Sequence, residues 1–326
     1  MLGPLLILIF CLSQAFRDVY LGHLFQGVDF FAIILLAFLL STAIFAPIAA
    51  IRTRAQFAIR AQWRTVLAMN ITTAIAWNCY FFGLTYLEPS IVNTIHSGMA
   101  PLTVVVLGAF GIQLAKPHKI GAAECGSYIG IALTIAALWW VVLSGRSGDP
   151  AADIGTLAVA LALLFVSGSS ITGSLLFAKR LNDLGVGSAA VTSVRYLLIV
   201  AVAAGVEIGR GGPSGIHGAG NLTFLAVAAT ALMVLPLYAL QEGVARTAPL
   251  TAQIVRALGP VFVFALEQVD GRLRYSAPVL ICILAYSLFV VAGNFAHGWL
   301  LPGTRLQERR APMRRRAWPL PRRLRQ

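Results

Sequence analysis

Charge is scarce in this sequence. Only 11% of its 326 residues are charged and 58% are hydrophobic, whereas a soluble domain carries about a quarter charged residues. A chain so poor in polar groups cannot cover a water-facing surface; against lipid it needs none. Acids are scarcer still, with 12 Asp and Glu against 25 Lys and Arg. The four cysteines, Cys11, Cys79, Cys125 and Cys282, lie far apart within apolar stretches. They show neither metal-ligand nor redox spacing and read as small apolar side chains. The five histidines, His23, His96, His118, His217 and His297, are scattered. H-E-x-x-H, G-x-S-x-G and paired carboxylates on one helix are all missing, which argues against a membrane-embedded enzyme. No cofactor and no metal is implied.

What is present is apolar length. A membrane-crossing helix needs about 20 mostly apolar residues, because the hydrocarbon core is about 30 Å thick and each residue rises about 1.5 Å. Ten stretches qualify: Leu2–Leu21, Phe30–Ile51, Val66–Tyr86, Ser90–Ile112, Ile120–Leu143, Thr156–Ala178, Ser188–Val206, Asn221–Leu240, Leu250–Leu266 and Ala277–His297. They use nearly all of residues 1–300, leaving no room there for a soluble domain. No basic residue precedes the first stretch, so it reads as a retained helix rather than a signal peptide.

The basic residues orient the chain. With the N-terminus inside, the inner loops hold Arg52, Arg54, Arg60, Arg64, Lys116, Lys119, Lys179, Arg180 and Arg246, and the tail beyond residue 300 adds nine arginines. Only Arg146, Arg210, Arg272 and Arg274 fall outside, eighteen against four. Lys and Arg collect in cytoplasmic loops, so the chain is expected in the cytoplasmic (inner) membrane with both termini in the cytoplasm. The arginine-rich segment 301–326 is expected to anchor the end of the chain and touch anionic headgroups. It has no folded nucleic-acid module, so no nucleic-acid partner is expected.

The sequence also repeats itself. Gly83–Val106 resembles Glu242–Ala265 at an offset of 159 residues. Each begins at the end of one apolar stretch and crosses a Pro-containing connection. Each then enters a helix interrupted by a proline, Pro101 or Pro260. The fourth stretch thereby matches the ninth, five stretches later. Five is odd, so the second half enters the membrane in the opposite sense, as in the inverted repeats of many secondary transporters. These features resemble the drug/metabolite transporter superfamily, specifically the ten-helix EamA-type transporters. Ser193–Leu198 adds to the likeness through Arg195; its counterpart Leu36–Leu40 has no arginine. The expected fold is an all-α polytopic membrane protein of ten transmembrane helices in two inverted five-helix repeats, residues 1–146 and 150–300. The resemblance implies a central cavity lined by the first, third, fourth, sixth, eighth and ninth helices, with the fifth and tenth outermost.

Polar groups inside the bilayer are costly and therefore informative. In the fourth stretch Asn93, His96 and Ser97 share a face, and Pro101 leaves the Ser97 carbonyl without its helical donor. In the ninth, Gln253 and Arg256 share a face with Pro260. Arg256 is expected either to contact substrate or a gate, or to pair with Glu267 or Glu242. In the first stretch Gln14 and Asp18 share a face, and Asp18 is the group expected to carry a proton. Arg17 lies about 100° from Asp18 on a helix, so the two are expected to point apart. Trp77 and Asn78 in the third stretch complete the candidate binding residues, although all of these groups also suit helix–helix packing.

The function expected is secondary transport, with export of a small polar metabolite such as an amino acid or amine. A lipid flippase of the same fold is the alternative and a membrane-embedded enzyme a distant one. Partners are a small-molecule substrate and membrane lipid, and a homodimer is compatible with the class.

Overall fold

The structure is a computed structural model that describes residues 2–21, 30–50, 59–109, 121–148, 153–211, 227, 230–247 and 249–300. These residues are helical wherever they are regular, with no strand among them. Lipid offers backbone groups no partner, and a helix satisfies its own.

Helix α1 (Leu2–Phe16) runs into one π-helical turn at Arg17–Leu21. There follow α2 (Phe30–Ala50), α3 (Trp63–Tyr86), α4 (Pro89–Ala109), α5 (Ala122–Leu143) and α6 (Ile154–Asp183). The seventh apolar stretch is not one helix but two, α7 (Ser188–Arg195) and α8 (Leu197–Gly209), broken at Tyr196. A second π-turn, Thr230–Val234, leads into α9 (Leu235–Arg246). The ninth stretch is likewise split, into α10 (Pro249–Ala257) and α11 (Gly259–Asp270), and α12 (Ala277–Leu300) ends the described chain. Pro260 removes one backbone donor, and the break falls just before it, at Leu258. Pro101 by contrast sits within a continuous α4.

Among the described residues six helical segments are long and apolar enough to cross a membrane: Leu2–Tyr20, Pro89–Gly108, Ala122–Leu143, Ile154–Asp183, Ser188–Gly209 and Ala277–Ala296. The protein is thus an all-helical, multi-pass membrane protein. Helix α3 is long enough as well, but Asn70, Thr72, Thr73 and Asn78 make it more polar.

The helices stop where the sequence supplies a stop. Asp153 caps α6 by accepting from the Thr156 amide at 3.0 Å and the Thr156 hydroxyl at 2.7 Å. That donation holds its carboxyl below the ordinary carboxylate range. Helix α11 ends on Gly271 at φ 71°, a left-handed position that glycine takes without a Cβ penalty.

A central group of α1, α3, α4, α6, α9, α10 and α11 is packed pairwise: α1 lies on α9, α10 and α11, α6 on α3 and α4, and α4 on α11. Helices α5 and α12 pair beside it, and α2 pairs with α7 and α8. Helices approach closely at glycines: a Cβ at Gly168 of α6 would lie 2.5 Å from the His96 carbonyl oxygen of α4. Small residues at crossings are how membrane helices gain packing that lipid cannot give. Large apolar side chains such as Leu133 and Leu288 point outward.

The bundle has two ends. At the near end lie the start of α1, where Gly3 abuts Arg246 and Thr247, and the ends of α6 and α9. The far end holds the α3–α4 turn, residues 144–148 and the connection 271–276. There the Glu88 carboxylate accepts from the Gly148 amide, the Ser276 hydroxyl donates to the Arg146 carbonyl at 2.9 Å, and Arg272 donates to the Val19 carbonyl at 3.0 Å.

Candidate functional site

Between the ends, polar side chains from several helices meet. Arg17 and Asp18 are 1% and 0% exposed and bond to each other: the guanidinium Nε and Nη2 reach Asp18 Oδ1 at 2.8 and 2.6 Å. This corrects the expectation that they diverge. They sit in the π-turn, where the helix is wider than an α-helix, and the long arginine side chain folds back over its neighbour. The other carboxylate oxygen accepts the Tyr80 hydroxyl at 2.5 Å and the Asn93 amide at 3.4 Å. Gln14 donates to the Tyr80 oxygen at 3.2 Å. The Arg17 guanidinium also lies over the rings of Trp77 and Tyr80, 5.2 and 5.6 Å from their centroids, a cation–π arrangement. Three helices, α1, α3 and α4, thus converge on one carboxylate.

His96 stands one turn along α4 from Asn93. Its Nδ1 is 2.9 Å from the Ser167 hydroxyl, which donates at 2.7 Å to the Ala76 carbonyl. Its ring meets Tyr80 edge-on at 4.7 Å. Ser97 donates to Asn93 Oδ1 at 3.5 Å. A Cβ at Gly259, the first residue of α11, would lie 3.4 Å from that same Asn93 oxygen, so the break in the ninth stretch faces the fourth.

Arg256, near the end of α10, is half-buried, and among the described residues it makes neither an ion pair nor a hydrogen bond. The carboxylates expected to pair with it are engaged elsewhere. Glu242 binds Arg246 one turn away, and Glu267 accepts the Ser90 amide at 2.7 Å. Arg256 lies within electrostatic range of Cys11, His96, Arg195 and Tyr286.

The sequence now meets its relatives. Residues 1–143 match the model of the EamA-like transporter family, part of the drug/metabolite transporter superfamily. The match covers 143 of the 326 residues, and over that stretch the chain is similar to the EamA-like transporters. The fold also has solved counterparts, with 21 matching chains. One of them, described only as "Crystal structure of protein", superposes with a TM-score of 0.60 at 20% identity, over 94% of this chain and 98% of that one. No curated protein matches the sequence.

The expected site residues divide. Gln14, Asp18, Asn93, His96, Ser97 and Trp77 come together. Asn78 instead donates to the Ala74 carbonyl of its own helix at 2.8 Å. The Gln253 side chain, residues 301–326 and the loop residues Arg52, Arg54, Lys116 and Lys119 lie outside the described residues. Trp77 is buried among Phe38, Tyr80 and Phe81, and its Nε1–H finds no acceptor among the described residues.

Two residues of the cluster were not among the expected site residues. Tyr80 links Gln14 to Asp18 and is chemically central. Arg195, at the break of the seventh stretch, is 5% exposed, and among the described residues it donates only to neutral oxygens, Thr73 Oγ1 and Gln241 Oε1, each at 3.4 Å. Its charge within an apolar stretch was the available signal. The break itself is held by Asn70, which donates to the Val194 carbonyl at 2.7 Å and accepts the Leu198 amide at 3.1 Å. A cavity of about 300 Å³ opens at the near end between α6, the start of α7 and α9, and reaches Gln241, the partner of Arg195.

Proposed function

We propose that this chain is a secondary transporter that exports a small polar metabolite across the cytoplasmic membrane, binding it between two inverted five-helix repeats. The observation that carries the reading is Arg256, a permanent charge set among polar groups in an apolar bundle with no carboxylate partner among the described residues. Isolated charge at this depth is costly and marks a substrate path more often than a packing contact. Asn93, His96, Ser97 and the Asp18–Tyr80 cluster border the same region and supply directional hydrogen bonds.

Helix pairing supports the inverted repeat. Exchanging the halves maps the packing of α1 on α9 onto that of α6 on α3, and α4 on α6 onto α10 and α11 on α1. A glycine within one residue of the repeat register supports it too: Gly83 of α3 meets Leu164 of α6, and Gly243 of α9 meets Ile7 of α1. With both termini cytoplasmic, the near-end cavity opens inward and the far end is closed, one state of an alternating-access cycle.

The reading is tested by reconstituting purified protein in liposomes loaded with candidate metabolites, beside overexpression against toxic analogues of each class. Resistance to one class, with counterflow of its parent compound, is expected. Arg256→Gln should abolish both while leaving the protein folded, and Arg256→Lys should restore only part, because a point charge lacks the planar fork. Normal counterflow by a folded Arg256→Gln protein removes Arg256 from the path.

A further inference from the structure

We infer that the transported solute is an organic anion whose carboxylate is held between Arg195 and Arg256; this rests on the transport reading above and names its substrate class. Three guanidiniums, Arg17, Arg195 and Arg256, lie in the polar interior, and Asp18 is committed to Arg17. Arg195 and Arg256 lie within electrostatic range of each other, and neither has an ion-pair partner among the described residues. Two like charges brought together out of bulk water repel, and the penalty persists unless something negative neutralises them.

The backbone points the same way. Each of the two guanidiniums sits where its apolar stretch breaks, Arg195 beside Tyr196 and Arg256 two residues before Leu258. The half-helix α11 therefore begins close to Arg256 and turns its positive end toward the interior. Half-helix N-termini facing a midplane site favour anionic groups. Beside Asp18 and Tyr80, Trp77 Nε1–H is a buried donor with no acceptor among the described residues. A cationic amine finds an excess of positive charge here; a carboxylate finds forked donors matched to its two oxygens. The near-end cavity reaches Gln241, which accepts from Arg195, and so provides the approach.

Gln241 also supplies the decisive variant. Its Oε1 already faces the Arg195 guanidinium at 3.4 Å, so Gln241→Glu places a carboxylate on Arg195 with almost no change of shape. Melting of the detergent-purified protein is followed with succinate, putrescine and sulfate in turn. Succinate is expected to raise the melting temperature in a saturable way, with the other two giving little. Arg195→Gln and Arg256→Gln should each raise the half-saturating succinate concentration about thirtyfold or more, the scale of losing one partner of a buried charge pair. Gln241→Glu should melt no lower than the parent and lose most of the succinate response. A full succinate response in Gln241→Glu overturns the proposal, as does stabilisation by putrescine in place of succinate or an equal response to sulfate. Counterflow in liposomes separates the two readings. Putrescine exchange without succinate exchange keeps a transporter and removes the anion site. Saturable, arginine-dependent succinate binding without exchange of any solute keeps the site and removes transport.

Discussion

Taking an ionised carboxylate and a guanidinium out of water costs several kcal/mol each, and only close pairing with further hydrogen bonds offsets it. Asp18 has that arrangement: Arg17 occupies one oxygen, and Tyr80 and Asn93 the other. Removing parts of it should therefore cost unequally. Tyr80→Phe deletes two hydrogen bonds, the one given to Asp18 and the one accepted from Gln14, and a loss of about 2 kcal/mol is expected. Asp18→Asn strands the Arg17 guanidinium and should cost about 3–5 kcal/mol. Thermal melting in detergent ranks the two. An Asp18→Asn protein as stable as Tyr80→Phe would show that Arg17 finds compensation elsewhere, and the carboxylate would then be retained for transport alone. The pattern Gln14 and Asp18 on one face was legible because helical spacing is a local property. The Arg17–Asp18 bond was not, because it depends on a π-turn that the sequence does not announce.

Helices here meet through glycine, and the cost of filling those contacts belongs to the element rather than to any site. At Gly168 a methyl group would meet the His96 carbonyl oxygen at 2.5 Å and Met99 Cβ at 2.6 Å, both close to the α4 backbone. Neither can swing aside as a side-chain tip could, so α6 and α4 must separate. Gly168→Ala is expected to lose about 1–3 kcal/mol, the range for overpacking. Gly205→Ala on α8, with nothing within 4 Å, should melt at or slightly above the parent temperature, since alanine is the better helix former. Equal melting of the two variants would mean the crossing is loosely packed. Element boundaries followed apolar length closely: the third stretch, expected over Val66–Tyr86, spans Trp63–Tyr86, and the sixth, expected over Thr156–Ala178, spans Ile154–Asp183. The break at Tyr196 was hidden, because no proline or glycine marks it and the Asn70 side chain that holds it comes from a helix 124–128 residues away in sequence. The break near Pro260 was visible through the missing amide, and only its exact residue, Leu258, was not.

At the scale of the whole molecule, the distribution of Lys and Arg and the bundle's two ends make one claim: the near end faces the cytoplasm. The positive-inside bias places Lys179 inward and residues 144–148 outward. Lys179 and Ser144 are both exposed, and they lie at opposite ends of the bundle, at the close of α6 and just beyond α5. Gly148 is a poor reporter of that far side, since any side chain there meets the Arg274 backbone; Ser144 has room. The pair of Lys179 with Asp183 at 3.6 Å is a surface contact of little weight, so its loss should not disturb folding. In a background with Cys11, Cys79, Cys125 and Cys282 replaced, a membrane-impermeant maleimide should label Ser144→Cys in intact cells and Lys179→Cys only after permeabilisation. The reverse pattern inverts the orientation and makes the near-end cavity an outward one, which turns export into uptake as the first step to test. Labelling of both in intact cells would break the link between the ends and the two faces of the membrane, and with it the parity on which the inverted repeat depends.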